Sequence, residues 1–336
     1  MSAANVVIVT PAPPGSRSGN RNTATRWARI LRTLGCRVFV LNGWDGRDCD
    51  LLVALHAGKS HAALRDFRLC HPERPALLAL TGTDIYRDVH RNADAAASLD
   101  LATGLIVLQE KALDELTPSQ RRKARVIHQS VSTSRAHAPP RSKFRICVIG
   151  HLREEKDPFR TAAALRQMTS LPIEVVQAGK SLSRRMTREA ERRMRQDQRY
   201  RWVGELPHAA AMRLLSRSHL MVISSTMEGG AHAVSEAIAQ GVPVIASDIP
   251  GNRGLLGDDY PAYYPVGDEA GLAKLFGRAY EDRRFLNRLA AAVKRCRPRV
   301  DPGRERRAWA QMLKDSGIRP SRATPSPGRS CAGKSR

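Results

Sequence analysis

The chain has 336 residues, 42% of them hydrophobic, with 56 Lys and Arg against 32 Asp and Glu and a net charge of +24. That length calls for two cores of about 150 residues each, and the apolar content excludes a chain disordered throughout. No apolar run approaches the ~20 residues of a membrane span. The six cysteines form no C-x-x-C pair, and residues 1–10 lack the basic region and apolar block of a secretory signal. A cytoplasmic protein with reduced thiols and no membrane span is expected.

Residues 5–10 (NVVIVT) read as a buried parallel strand, short, β-branched and continuously apolar. The proline- and glycine-rich segment 11–19 is a loop. A helical pattern marked by Thr25, Ala28, Leu31 and Leu34 then stops at Gly35, a left-handed cap. Strands follow at 37–41, 50–56, 76–80 and 104–108, with helical stretches between most of them. Residues 131–143, rich in Ser, Pro, Arg and His and without periodicity, mark a domain boundary. The alternation restarts with strands at 144–150, 173–178, 201–204, 220–224 and 242–247. Helices are predicted at 158–168 and at 231–240, the latter closed by Gly241, and 272–313 is mostly helical. The predicted fold class is α/β: two Rossmann-like, doubly wound parallel-sheet domains facing a cleft. They span residues 1–140 and 141–316, the second with closing C-terminal helices, followed by a basic disordered tail at 317–336. Such clefts hold nucleotides or anionic metabolites.

The positive charge suits a polyanion, so nucleic acid is one candidate partner. The surplus is uneven: residues 297–336 hold 11 Lys and Arg against 3 acids, and residues 184–201 hold eight Arg. Neither stretch is interleaved with stacking aromatics, which favours a solvated helix face and a basic tail over a nucleic-acid groove.

The most informative segment runs from Ser224 to Ala237. A strand feeds the Gly229-Gly230 turn, and a helix starts just beyond it, at Ala231 and His232. Unpaired amides at a helix start favour anions. Glu228 sits at the turn and Glu236 two helical turns further on, so one carboxylate faces the cleft mouth and the other meets vicinal hydroxyls deeper in. After the first strand of the second domain, Arg153 and Lys156 lie three apart at a strand-to-helix turn, where both can neutralise a diphosphate.

With those residues in twin α/β domains, the second half resembles the retaining nucleotide-sugar glycosyltransferases of GT-B fold, family 4-like, with a Glu-x7-Glu motif (Glu228 and Glu236) followed by GVPVIAS. A narrower resemblance, carried by LVALHA (52–57), LTGTDIYRD (80–88) and IPGNRGLLG (249–257), is to the selenosugar synthases of selenoneine biosynthesis. The resemblance covers roughly residues 5–315. It implies a UDP-sugar donor held mainly by the second domain, without a metal or other cofactor. Arg153 and Lys156 would hold the diphosphate and stabilise UDP as it leaves. Glu236 would bind the ribose, and Glu228 with the amides of Gly229, Gly230 and Ala231 would meet the donor sugar and phosphate edge. The loop of Gly15 and Gly19 would approach from the first domain. The implied acceptor is selenophosphate, with UDP-N-acetylglucosamine or UDP-glucose as donor. Arg17, Arg21 and Arg87 are then candidates to receive the anion, with His56, Asp84 and His232 as candidates for proton handling or orientation. Asp84 reads equally as a helix cap, and His56 as a structural hydrogen bonder. Asp48-Cys49-Asp50 mimics a D-x-D metal motif in the wrong kind of domain. Where many relatives place a Gly-x-x-Glu carboxylate, this chain has Gly251-Asn252-Arg253-Gly254, and the added cation suits an anionic acceptor. A conventional sugar, lipid or metabolite acceptor is the alternative.

Overall fold

A computed structural model describes residues 3–16, 18–132, 137–168 and 171–319. The first half alternates β1 (Asn5–Val9), α1 (Gly19–Thr33), β2 (Arg37–Leu41), β3 (Leu51–Leu55), α2 (His61–Cys70), β4 (Ala76–Leu80), α3 (Thr83–Tyr86), α4 (Ala93–Leu101), β5 (Gly104–Val107), α5 (Pro118–Arg122) and β6 (Ala124–Val126). All six strands are parallel, in the order β2-β1-β3-β4-β5-β6. β3 (LLVAL) and β4 (ALLAL) are buried at every position, as central strands covered on both faces must be. α1 presents Ala24, Trp27, Ala28 and Leu31 to the sheet at helical spacing, with Ser18 capping its start. Gly35 follows with a φ of 88°, the left-handed stop expected there.

The second half repeats the scheme with β7 (Phe144–Ile149), α6 (Arg160–Arg166), β8 (Ile173–Ala178), α7 (Arg184–Gln196), β9 (Tyr200–Trp202), α8 (His208–Ser216), β10 (Leu220–Ile223), α9 (His232–Gln240), β11 (Val244–Ser247), α10 (Pro250–Leu256), β12 (Tyr263–Tyr264), α11 (Glu269–Glu281), α12 (Arg283–Arg295) and α13 (Pro302–Asp315). Its sheet order is β12-β11-β10-β7-β8-β9, again parallel. Each order reverses direction once, between β1 and β3 in the first sheet and between β7 and β10 in the second. The crevice beyond the carboxyl ends of those strand pairs is where an open α/β sheet binds ligands. β6 and β12 were not expected from the sequence, because Ala-Arg-Val and Tyr-Tyr are too short to show an apolar run.

The last helix departs from the expected boundary. α13 does not close the second domain: Trp309, Met312 and Leu313 lie in the first domain's core, and the Trp309 ring meets Trp27 edge-on at 4.9 Å. The apolar stripe of α13 finds its partner on α1. The chain crosses back through Val300, whose carbonyl accepts the linker amide of Val131 at 3.1 Å. Of the predicted tail, only residues 317–319 are among those described. On α7, Arg192 and Arg193 pair with Glu189, and Arg185 pairs with Glu154, so part of the basic run is neutralised within the protein.

Candidate active site

The loops after β7 and β10 are tied together. Ser224 Oγ donates to the carbonyls of Lys156 (3.0 Å) and Asp157 (2.8 Å), and the Thr226 amide donates to Glu155 O at 2.9 Å. These bonds close the short turn Glu154–Lys156, which ends on Asp157 in a left-handed conformation (φ 39°). Lys156 is thereby delivered to Glu228: its ammonium bonds Glu228 Oε1, the oxygen that also accepts Ser225 Oγ at 2.6 Å. The Glu228 side chain is 9% exposed. Arg153 stands at the rim, exposed, with Glu155 no nearer than 4.0 Å.

Glu236 is buried on α9, where its Oε1 accepts from His208 Nε2 at 3.0 Å and lies 3.6 Å from His232 Nε2. The two imidazoles respond in opposite directions. The Glu236 hydrogen bond raises the pKa of His208, whereas burial lowers that of His232. Ala231 occupies the cap position of α9 without a side-chain cap.

The Gly-Gly turn has a role that its sequence did not reveal. A Cβ on Gly229 would stand 2.5 Å from Gly82 N and 2.6 Å from Thr81 C, and one on Gly230 would stand 2.7 Å from Leu108 Cβ. These glycines are therefore where the second domain's backbone lies against the first. On α10, Gly254 does the same work, since a Cβ there would meet Gln109 Oε1 at 1.9 Å, whereas Gly251 makes its close approach within the second domain, where a Cβ would meet Glu228 O at 2.0 Å. The Gly229→Ala enzyme is expected to hold the domains apart, with a larger radius of gyration in solution scattering and kcat/KM reduced at least about tenfold. An unchanged radius would show that the contact yields instead.

On the first domain, Asp84 is fully buried and accepts the amides of Ala57 (3.1 Å), Thr81 (3.0 Å) and Gly82 (2.7 Å). It shapes the Thr81-Gly82 loop that Gly229 touches, a structural role. His56 follows β3 with a positive φ of 77°, a strained conformation for a side chain of its size. Its Nδ1 accepts the Lys59 amide at 3.4 Å, leaving Nε2 buried, 3.6 Å from Asp88 Oδ2 and without a hydrogen bond among the described residues. Burial holds its pKa below the usual value. Arg87 bonds Asp88 at 2.9 Å and reaches across the cleft to Glu155 at 3.6 Å. Glu155 thus stands between Arg153 and Arg87.

Arg21 lies in the first turn of α1, its amide on Ser18 Oγ at 3.4 Å and its Nη1 buried without a partner among the described residues. Gly15 has a φ of 79°, but a Cβ there or on Gly19 would meet nothing within 4 Å, so no close approach requires glycine at either position. Arg17 lies outside the described residues. Arg253 is not free for an anion: it forks onto Asp248 (2.5 and 2.9 Å) and touches Asp258 at 3.4 Å, above the Tyr263 ring. In the D-x-D string, Asp48 pairs with Arg74 and Asp50 accepts the Asn5 amide. The sequence did not single out Ser225, Glu155, Asp88 or His208, since a lone Ser or acid in a loop, or a lone His at a helix start, carries no local signal.

Residues 132–295 match the model of the family Glycosyl transferases group 1. That match falls on the second domain. The chain superposes on HepE of Anabaena, solved with UDP and glucose, with a TM-score of 0.74 at 15% identity over 93% of this chain and 100% of that one. Sucrose-phosphate synthase of Thermosynechococcus elongatus gives 0.73 at 16% identity over 93% and 98%. The UDP-forming trehalose-phosphate synthase of Burkholderia xenovorans, solved with glucose-6-phosphate, gives 0.70 at 11% over 93% and 99%. The fold is GT-B. A Xenopus tropicalis protein, glycosyltransferase 1 domain-containing protein 1, is 31% identical over 107 residues, a match spanning 31% of each chain. No helix among the described residues is long and apolar enough to cross a membrane.

Proposed function

We propose that the chain is a UDP-sugar-dependent glycosyltransferase and, within that class, a selenosugar synthase joining the donor sugar to selenophosphate. The observation that carries the donor assignment is the Lys156–Glu228 pair at the switch point of the second sheet, with Glu236 buried eight residues on. The match of residues 132–295 to the group 1 family model supports it, as do structural neighbours solved with UDP. The acceptor rests on the strings around Asp84 and Gly251.

In this reading the diphosphate enters beside Arg153 and displaces the Lys156 ammonium part-way from Glu228, which turns to the donor sugar. Glu236 leaves His208 and accepts from the ribose hydroxyls. The anomeric C–O bond breaks with its electron pair going to UDP, and Lys156 and Arg153 stabilise the charge that develops on the leaving oxygen. Selenium supplies the electron pair of the new C–Se bond. Water then cleaves the P–Se bond, releasing phosphate and the seleno-sugar.

The test is mass spectrometry of UDP-N-acetylglucosamine or UDP-glucose incubated with oxygen-free selenophosphate. A selenium isotope pattern at a seleno-sugar mass, with UDP released in step, is the expected result. UDP-sugar binding without that product would keep the donor site and return the acceptor to the ordinary sugar, lipid and metabolite class. Glu236→Ala is expected to raise the donor KM roughly tenfold with kcat little changed, and an unaltered KM would refute the ribose role.

A further inference from the structure

The Glu228 carboxylate has a second holder besides Lys156, and this one reaches back into the interior of the second domain. Ser225 Oγ donates to Glu228 Oε1 at 2.6 Å, the oxygen that Lys156 also meets. Ser225 is fixed in turn, because its carbonyl accepts Ser247 Oγ, at the end of β11, at 2.6 Å. Asn252, in the first turn of α10, donates Nδ2 to Ser247 O at 2.9 Å and to Ser247 Oγ at 3.1 Å. Ser225 is 1% exposed, and Ser247 and Asn252 are fully buried. Asn252 Oδ1 has no partner among the described residues, so the amide exerts its hold through Nδ2.

The same turn of α10 supports Glu228 a second time. A Cβ on Gly251 would stand 2.0 Å from Glu228 O and 2.9 Å from Glu228 Cβ, so the helix backbone lies directly against that residue. The backbone of the glutamate thus rests on α10, and its carboxylate is reached from α10 through two serines. A buried line of hydrogen bonds fixes direction, since each lost bond would strand a polar group away from water. The two holders of Glu228 differ in kind. The Lys156 side chain is 23% exposed and carries the charge that an incoming anion attracts, whereas the serine line is neutral and closed to solvent.

We infer that Ser225, Ser247 and Asn252 are positioning residues for the Glu228 carboxylate, keeping it aimed when an anion draws Lys156 away. The inference deepens the donor reading and rests on it only for what Glu228 meets, which is the sugar of a nucleotide-sugar and not its nucleotide. Each of the three acts through Glu228.

The experiment is a double-mutant cycle of Ser225→Ala with Glu228→Ala in the full chain. It is read by calorimetric titration with UDP and with UDP-glucose or UDP-N-acetylglucosamine, and by thermal melting. Ser225→Ala is expected to weaken UDP-sugar binding about tenfold, the scale of one hydrogen bond to a charged group, with UDP affinity at the wild-type level. In the Glu228→Ala background the same substitution should change UDP-sugar affinity by no more than about twofold, because the group it acts through is gone. A penalty that persists in full without Glu228, or that UDP shares equally, would be a general loosening of the fold and overturns the inference. Unchanged UDP-sugar affinity in a folded Ser225→Ala protein overturns it as well. Should that variant fail to fold, Ser247→Ala takes its place in the cycle, with the same selective loss expected and its absence overturning the assignment. Wild-type protein that binds no UDP-sugar removes the donor reading alone. The melting temperatures then decide the positioning role: non-additive effects of Ser225→Ala and Glu228→Ala sustain it, and additive ones overturn it.

Discussion

Lys156→Ala is expected to lower turnover by about 10²- to 10³-fold, the scale of losing one preorganised donor to a developing oxyanion. The structure gives two reasons. The ammonium is held at the switch point by a turn stitched to the β10 loop, so it is in place before the reaction. Its removal also leaves Glu228, 9% exposed, with Ser225 as its remaining partner on Oε1, which places an uncompensated negative charge where the proposed diphosphate would enter. Donor binding should therefore weaken along with kcat, and the melting temperature should fall. Arg153→Ala separates these effects. Its guanidinium is exposed and held loosely by Glu155, so turnover should fall on a similar scale while stability stays at the wild-type level. Steady-state UDP release together with thermal melting checks both variants, and turnover within threefold of wild type would remove the residue from the site.

The clustering of Lys156 with Glu228 was legible because both residues follow strand ends. A continuously apolar strand announces its own C-terminus, and the switch-point rule then places Arg153, Lys156 and Glu228 in one crevice without any knowledge of side-chain contacts. The strings around Asp84 and Gly251 were visible but mute. Their meaning lies across the cleft, where Asp84 folds the loop that Gly229 touches and Gly254 leaves room for Gln109. No local pattern encodes a contact between residues 25 to 150 positions apart. The same holds for α13, whose apolar stripe fits either domain until Trp27 is seen beside Trp309. Arg253 shows the converse error: an added cation in an acceptor-like position is consumed by Asp248 and Asp258, which lie within five residues of it.

Glu305→Ala is expected to destabilise the protein by about 3–5 kcal/mol, the cost of removing one member of a buried, hydrogen-bonded charge network. Nothing in its sequence context, a charged helix start between prolines and arginines, distinguishes it from a solvated acid. Yet it joins three pieces of chain that meet only in the folded state: α13, α1 through Arg26 and Trp27, and the interdomain linker through Ser130. Alanine would leave the Arg26 guanidinium, the Trp27 indole N–H and the Ser130 amide without acceptors in a site that water barely reaches. Since α13 is the return strap that pins the end of the second domain to the first, the loss should appear in both domains. The melting temperature should drop on the order of 10 °C. Glu305→Gln keeps one carbonyl oxygen, enough for Arg26 and Trp27 or for Ser130 but not for both groups, and should melt between alanine and wild type. A melting temperature for Glu305→Ala within 2 °C of wild type would mean that the linker and the strap are held by their apolar contacts alone. In that case Arg26 would owe its place to the packing of α1, and the carboxylate would be dispensable to stability.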